Sequence, residues 1–137
     1  MINSRDIKEL HPKVASLCLA LIRQCEQEGI DLLITSTFRD FESQNSLYAQ
    51  GRTTAGKKVT NAKAGQSFHN YRVAFDFVPI VSGKAQWNDK VLFNRVGLIG
   101  EKMGLTWAGR WTKFPEAAHF QLTNGLTLAD FQAGKTL

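Results

Sequence analysis

The chain has 137 residues, 43% of them hydrophobic and 21% charged, with a net charge of +5. That length fits one domain, residues 1–137, able to bury about two-thirds of its unfolded surface without disulfide staples. No apolar run approaches the ~20 residues of a membrane-spanning helix, and the basic balance favours polyanions, nucleic acid and an anionic bacterial cell wall among them.

The N-terminus, Met1-Ile2-Asn3-Ser4-Arg5-Asp6, has no apolar h-region and no small-residue cleavage site. It predicts a cytoplasmic protein without a secretory signal. The first element is a helix from Pro12 to Glu28, because Val14, Leu17, Cys18, Leu21, Ile22 and Cys25 form one apolar stripe. Pro12 suits its first turn and Gly29 its stop. Cys18 and Cys25 share a face but lie about two turns, roughly 10 Å, apart. That is too far for a disulfide, so both read as buried free thiols. Ile30–Ser36 reads as a strand.

Asp40 can cap a second helix ending near Gln50, with Gly51 as its stop. Arg52 to Gln66 is polar and reads as a long loop, of a length that is often functional. Arg72 to Pro79 alternates as a strand, and Ser82-Gly83 marks a turn. Asp89 to Met103 forms a third helix, with Val91, Leu92, Val96, Ile99 and Met103 on its apolar side. Leu105–Trp107 is a strand, Ala108–Ala117 a loop, Ala118–Leu122 a strand and Leu126–Phe131 a last helical turn. The expected fold class is α+β, helices packed on a small, mostly antiparallel sheet.

Of the three histidines, His11 precedes a helix without an acidic or histidine partner and reads as a surface residue. His69 ends the long loop, and Asp76 follows between Phe75 and Phe77, in a segment that should be buried. A buried carboxylate is costly unless paired or metal-bound. The spacing of His69 and Asp76 is odd, so they meet only if the chain turns between them, and Asn70-Tyr71 is a reasonable place. His119 follows Glu116 at a loop–strand junction. Two histidines and an aspartate satisfy the ligand count of a catalytic zinc with one open position, and a nearby free carboxylate can take a proton from water. Spacing alone leaves open that both histidines are ordinary hydrogen-bonded ones and that Asp76 caps a turn.

Ser67-Phe68-His69, Ala74-Phe75-Asp76 and Glu116-Ala117-Ala118-His119-Phe120 closely resemble the motifs of the zinc D-Ala-D-Ala carboxypeptidase and L-alanyl-D-glutamate peptidase family. Ser36-Thr37-Phe38-Arg39, with Gln44 and Tyr48, resembles its active-site arginine segment. Trp107-Ala108-Gly109-Arg110-Trp111 resembles its tryptophan–glycine loop. The resemblance implies the family's hedgehog-like fold, with one Zn²⁺ at the sheet held by His69, Asp76 and His119. Glu116 is then the general base, Arg39 a cation beside the substrate and the oxyanion, and Ser67 a hydrogen-bonding partner. Gln44, Trp107 and Trp111 are implied as substrate-binding residues.

Where the family places Gly three residues after its first His, this chain has Arg72, implying a different local turn or an additional cation at the site. The implied partner is bacterial peptidoglycan, with no nucleic acid and no membrane, acted on by a monomer. The implied activity is that of an L-alanyl-D-glutamate endopeptidase of the phage or prophage endolysin kind. A D-Ala-D-Ala carboxypeptidase or dipeptidase is the alternative. From another class, so is a non-catalytic zinc-containing wall-binding module, which would have no use for Glu116.

Overall fold

In the computed structural model, which describes residues 1–137, the first apolar stripe becomes helix α1, Pro12–Gln27, with Val14, Cys18, Leu21 and Cys25 buried. His11 is its N-cap: its Nδ1 accepts the Lys13 N–H at 3.2 Å. The expected surface histidine is therefore half-buried at the helix start. Gly29, at φ 78°, turns the chain out of the helix. Cys18 and Cys25 are free. Burial pushes the Cys18 thiol up to about 12, and burial together with Glu28 pushes Cys25 up to about 11.

Strand β1 is Asp31–Ser36. Helix α2 is Phe41–Ala49, capped by Asp40, whose carboxylate accepts the Ser43 N–H at 2.8 Å. The polar segment after it forms neither helix nor strand until a short 3-10 turn, Phe68–Tyr71. Strand β2 runs Ala74–Val81, starting and ending later than the alternation of Arg72 to Pro79 suggests. Ser82 and Gly83, both at positive φ, reverse it into β3, Lys84–Ala85. Helix α3 is Lys90–Lys102, β4 Thr106–Trp107, β5 His119–Gln121 and α4 Leu128–Gln132. The paired strands are antiparallel throughout, in the order β1-β2-β5-β4, with β3 on the outer end of β2.

Helices α1 and α3 touch each other and pack on the sheet. α3 lies close because it presents two glycines. A Cβ at Gly97 would run into the Trp107 indole, and one at Gly100 into the Phe120 ring. Phe120 stacks with Phe77 and packs on Phe75, and all three are fully buried. These rings occupy the helix-covered face. By strand alternation, the residues between them point to the other face. On β2 that residue is Asp76; on β5 they are His119 and Gln121.

Candidate active site

Asp76 and His119 are direct partners in the β2–β5 ladder, so the register itself sets their side chains together. On its other edge Asp76 pairs with Ser36, just past a bulge in β1 between Ile34 and Ser36. His69 reaches the same place by the 3-10 turn. Ser67 caps that turn, its Oγ accepting the His69 N–H at 3.3 Å. Arg72 ends it in the left-handed conformation, φ 65° and ψ 21°. The turn resolves the odd seven-residue spacing of His69 and Asp76.

Arg72 thus adopts a conformation that Gly takes without strain. Its guanidinium is not an additional cation at the site. Nη1 donates to the Glu9 carbonyl and to Glu9 Oε2 at 2.8 and 2.7 Å, and the group lies 3.8 Å over the Phe38 ring.

The three candidate ligand atoms lie within 4.8 Å of one another. His69 Nε2 is 3.2 Å and His119 Nδ1 3.0 Å from the same Asp76 Oδ1. Each ring is held from behind. His69 Nδ1–H donates to the Thr37 carbonyl at 2.8 Å, and His119 Nε2–H donates to Gln121 Oε1 at 2.9 Å. In a neutral ring each bond fixes the tautomer whose unprotonated nitrogen faces Asp76 and is free to bind a metal. Burial raises the Asp76 carboxyl, but the two imidazoles outweigh it and hold the group well below the usual carboxylate range. Burial lowers His119, yet the Asp76 hydrogen bond and charge more than offset this and leave it raised. Two imidazole nitrogens, one carboxylate oxygen and an open side toward solvent fit a divalent metal with a free coordination position.

That open side is a cleft of about 480 Å³ whose lining includes Arg39, Ser67, Trp111 and Glu116. Glu116 is exposed, with Oε2 3.8 Å from His119 Nδ1. Its N–H donates to the Ala108 carbonyl at 3.1 Å, and its own carbonyl accepts the His119 N–H at 3.2 Å. Trp111 sits with its ring centroid 5.9 Å from that of His119. Arg39 Nη1 donates to Gln44 Oε1 at 2.9 Å, Nη2 to Ser36 Oγ at 3.4 Å, and its Nε is buried without a partner. Burial lowers the Arg39 pKa, with Asp76 and Glu116 opposing.

Gln44 and Trp107 do not line the cleft. Gln44 is fully buried. It orients Arg39 and donates from Nε2 to the Ala62 carbonyl at 2.7 Å, pinning the long loop. Trp107 is buried over Gly97 and Gly109, and its indole N–H donates to the Ala117 carbonyl at 2.8 Å. Both lie behind the cleft wall.

Three contributors escape the sequence reading. Gln121 was findable, since two positions along a strand it shares the face of His119. Thr37 contributes a backbone carbonyl, which carries no residue signature. Asn70 donates to the Arg39 carbonyl at 2.9 Å and accepts the Gly65 and Ser67 N–H groups at 3.1 and 3.3 Å, locking three segments behind the site.

The class is thus a cluster of two imidazoles and a carboxylate that could hold one metal ion, with a second carboxylate and a guanidinium beside it, at the open face of an antiparallel sheet. The chain belongs to the VanY family, described as D-alanyl-D-alanine carboxypeptidase, which residues 7–118 match. It is 37% identical over 123 residues to the peptidoglycan L-alanyl-D-glutamate endopeptidase CwlK of Bacillus subtilis (strain 168), covering 83% of this chain and 74% of that protein. Among solved structures, it resembles the L-Ala D-Glu endopeptidase ChiX of Serratia marcescens with a TM-score of 0.67, at 16% identity and 89% of each chain. It also resembles the D,D-pentapeptidase VanY of a VanB-type resistance cassette, solved with Zn(II), with a TM-score of 0.63. That likeness covers 82% of this chain and 71% of the other, at 12% identity.

Proposed function

We propose that this protein is a zinc peptidase that hydrolyses the L-alanyl-D-glutamate bond of the peptidoglycan stem peptide. The observation that carries the reading is the donor set itself. His69, Asp76 and His119 converge with both imidazoles tied from behind, and Glu116 stands free 3.8 Å from the nearest ligand nitrogen. The 37% identity to an L-alanyl-D-glutamate endopeptidase supports the choice of bond. His69 Nε2, His119 Nδ1 and Asp76 Oδ1 would hold the ion. When bound, it supplies a Lewis acid that polarises a scissile carbonyl and acidifies water.

Glu116 takes the proton from the attacking water and returns it to the leaving amine. It is fit for this because it is exposed at the cleft wall and its carboxylate makes no hydrogen bond within the chain, its one ion-pair contact being His119 Nδ1 at 3.8 Å. Arg39 meets the oxyanion, a preorganised electrostatic contribution that reaches a few kcal/mol in enzymes. Gln44 holds the guanidinium at that position. Trp111 and Ser67 form the walls that orient the peptide. The finer biological reading, a phage or prophage endolysin acting on the wall after release from the cytoplasm, is supported by the +5 charge, which favours an anionic polymer.

The test is digestion of purified sacculi, with product masses read out. New N-terminal D-glutamate is expected. Released D-alanine or its dipeptide would instead select the carboxypeptidase or dipeptidase reading, which the family's description favours. Glu116→Gln should bind zinc normally and lose roughly a hundredfold or more in rate. Near-normal turnover in that variant overturns the role of Glu116, and activity that survives complete zinc chelation overturns the metal.

A further inference from the structure

A second cavity, about 610 Å³, opens beside the first. The two share Val59, Thr60, Ala62, Gln66, Trp111 and Glu116, so they form one groove that runs past the proposed base. The second part adds Lys58, Asn61, Phe114 and Pro115 to the lining.

Phe114 is unfavourable in two ways within the folded chain. It is the most exposed large hydrophobic residue, at 77%. Its φ of 50° is left-handed, a conformation strained for a bulky side chain. It joins neither the core nor any aromatic pair. A Gly or Asn would make the same turn with less strain and less apolar surface in water. Strain and exposed apolar surface at the wall of a groove are features that a ligand relieves. In the same groove Val59 is also exposed, at 58%. Lys58 forms no ion pair within the chain.

We propose that Phe114, Val59 and Lys58 form a second substrate subsite, which takes the residues flanking the scissile bond and pairs their free carboxylate with Lys58. The inference rests on the peptidase reading and extends it outward along the same groove. Charge sets the polarity. Glu116, which lines both cavities, repels a carboxylate, and Lys58, which lines only the second, attracts it there. Phe114 and Val59 offer apolar surface to the rest of the ligand.

Three synthetic peptides test this with the zinc-loaded protein. One carries the flanking residues with a free carboxylate, one has that carboxylate amidated, and one is trimmed to the scissile dipeptide with blocked ends. The wild-type protein should cleave the first with kcat/KM about tenfold above the others, the difference lying in KM. Lys58→Ala should cleave acid and amide alike. Phe114→Gly and Phe114→Asn should lower kcat/KM about tenfold on the long peptide and bring the long-to-trimmed ratio toward one. Both should melt no lower than wild type, because the strain is relieved. Wild-type ratios in Phe114→Gly, or an intact acid preference in Lys58→Ala, overturn the subsite while leaving the peptidase reading in place. Failure of the wild-type protein to cleave any of the three peptides overturns the peptidase reading and the subsite with it.

Discussion

At the residue scale, the site depends on atoms that hold the ligands as much as on the ligands. Gln121 accepts from His119 Nε2 and thereby presents Nδ1 to Asp76. Gln121→Leu keeps the approximate volume and removes the acceptor, so the ring loses its tautomer and its angle. Zinc affinity should fall about 10- to 100-fold, as measured by competition with a chromophoric chelator, while Gln121→Glu keeps an acceptor and retains most of it. An unchanged affinity in Gln121→Leu would remove Gln121 from the site. Gln44 acts one step further back, and Gln44→Leu strands both an Arg39 N–H and the Ala62 carbonyl. A loss of about 1–3 kcal/mol in stability is expected from denaturant unfolding, with zinc affinity unaffected. The convergence of His69, Asp76 and His119 was legible in sequence because few residue types could hold a metal. Their supports were not, because any acceptor at the right place serves: an amide in Gln121, a carbonyl in Thr37.

At the element scale, α3 is set by its glycines. Gly97 and Gly100 let the helix lie directly on Trp107 and Phe120, and Phe120 lies between the proposed ligand His119 and its hydrogen-bond partner Gln121. Gly97→Ala gains helix propensity but forces the indole aside. The overpacking should win, costing about 1–3 kcal/mol, and a melt that is higher than wild type would refute the close approach. Hydrophobic periodicity located α1 and α3, cap and stop residues located α2, and strands β1, β2, β4 and β5 were placed to within about two residues at their ends. Periodicity misassigned Val91, which is 74% exposed, because the glycines rather than a full apolar arc set the buried face. It could not locate the 3-10 turn at Phe68–Tyr71 or the two-residue strand β3, both of which arise from capping and pairing rather than from periodicity. Arg72 is the instructive case. A missing Gly suggested an altered turn or a new cation, yet the Glu9 pairing and the Phe38 stack secure Arg72 in the left-handed conformation.

At the scale of the whole molecule, the metal-free and metal-loaded proteins should respond to pH in opposite senses. In the metal-free protein the raised His119 contributes fully below its ordinary value of ~6.5 and loses that contribution as pH rises through its raised value. The lowered Asp76 contributes fully above ~4 and loses it as pH falls through its depressed value. The cluster therefore supports the metal-free fold best between about pH 4 and 6.5. A bound ion requires neutral imidazoles, so its stabilisation grows above that window. The gap in melting temperature between zinc-loaded and chelated protein should be small at about pH 5 and large at about pH 8; equal gaps would contradict the assignment. Asp76 and His119 face each other across β2 and β5 although 43 residues separate them in the chain. A slip of one position in that pairing sends one of them to the helix-covered face. If the cluster holds a cation as proposed, capture would act as a checkpoint on threading, open only to molecules whose last sheet strand has docked in the correct frame.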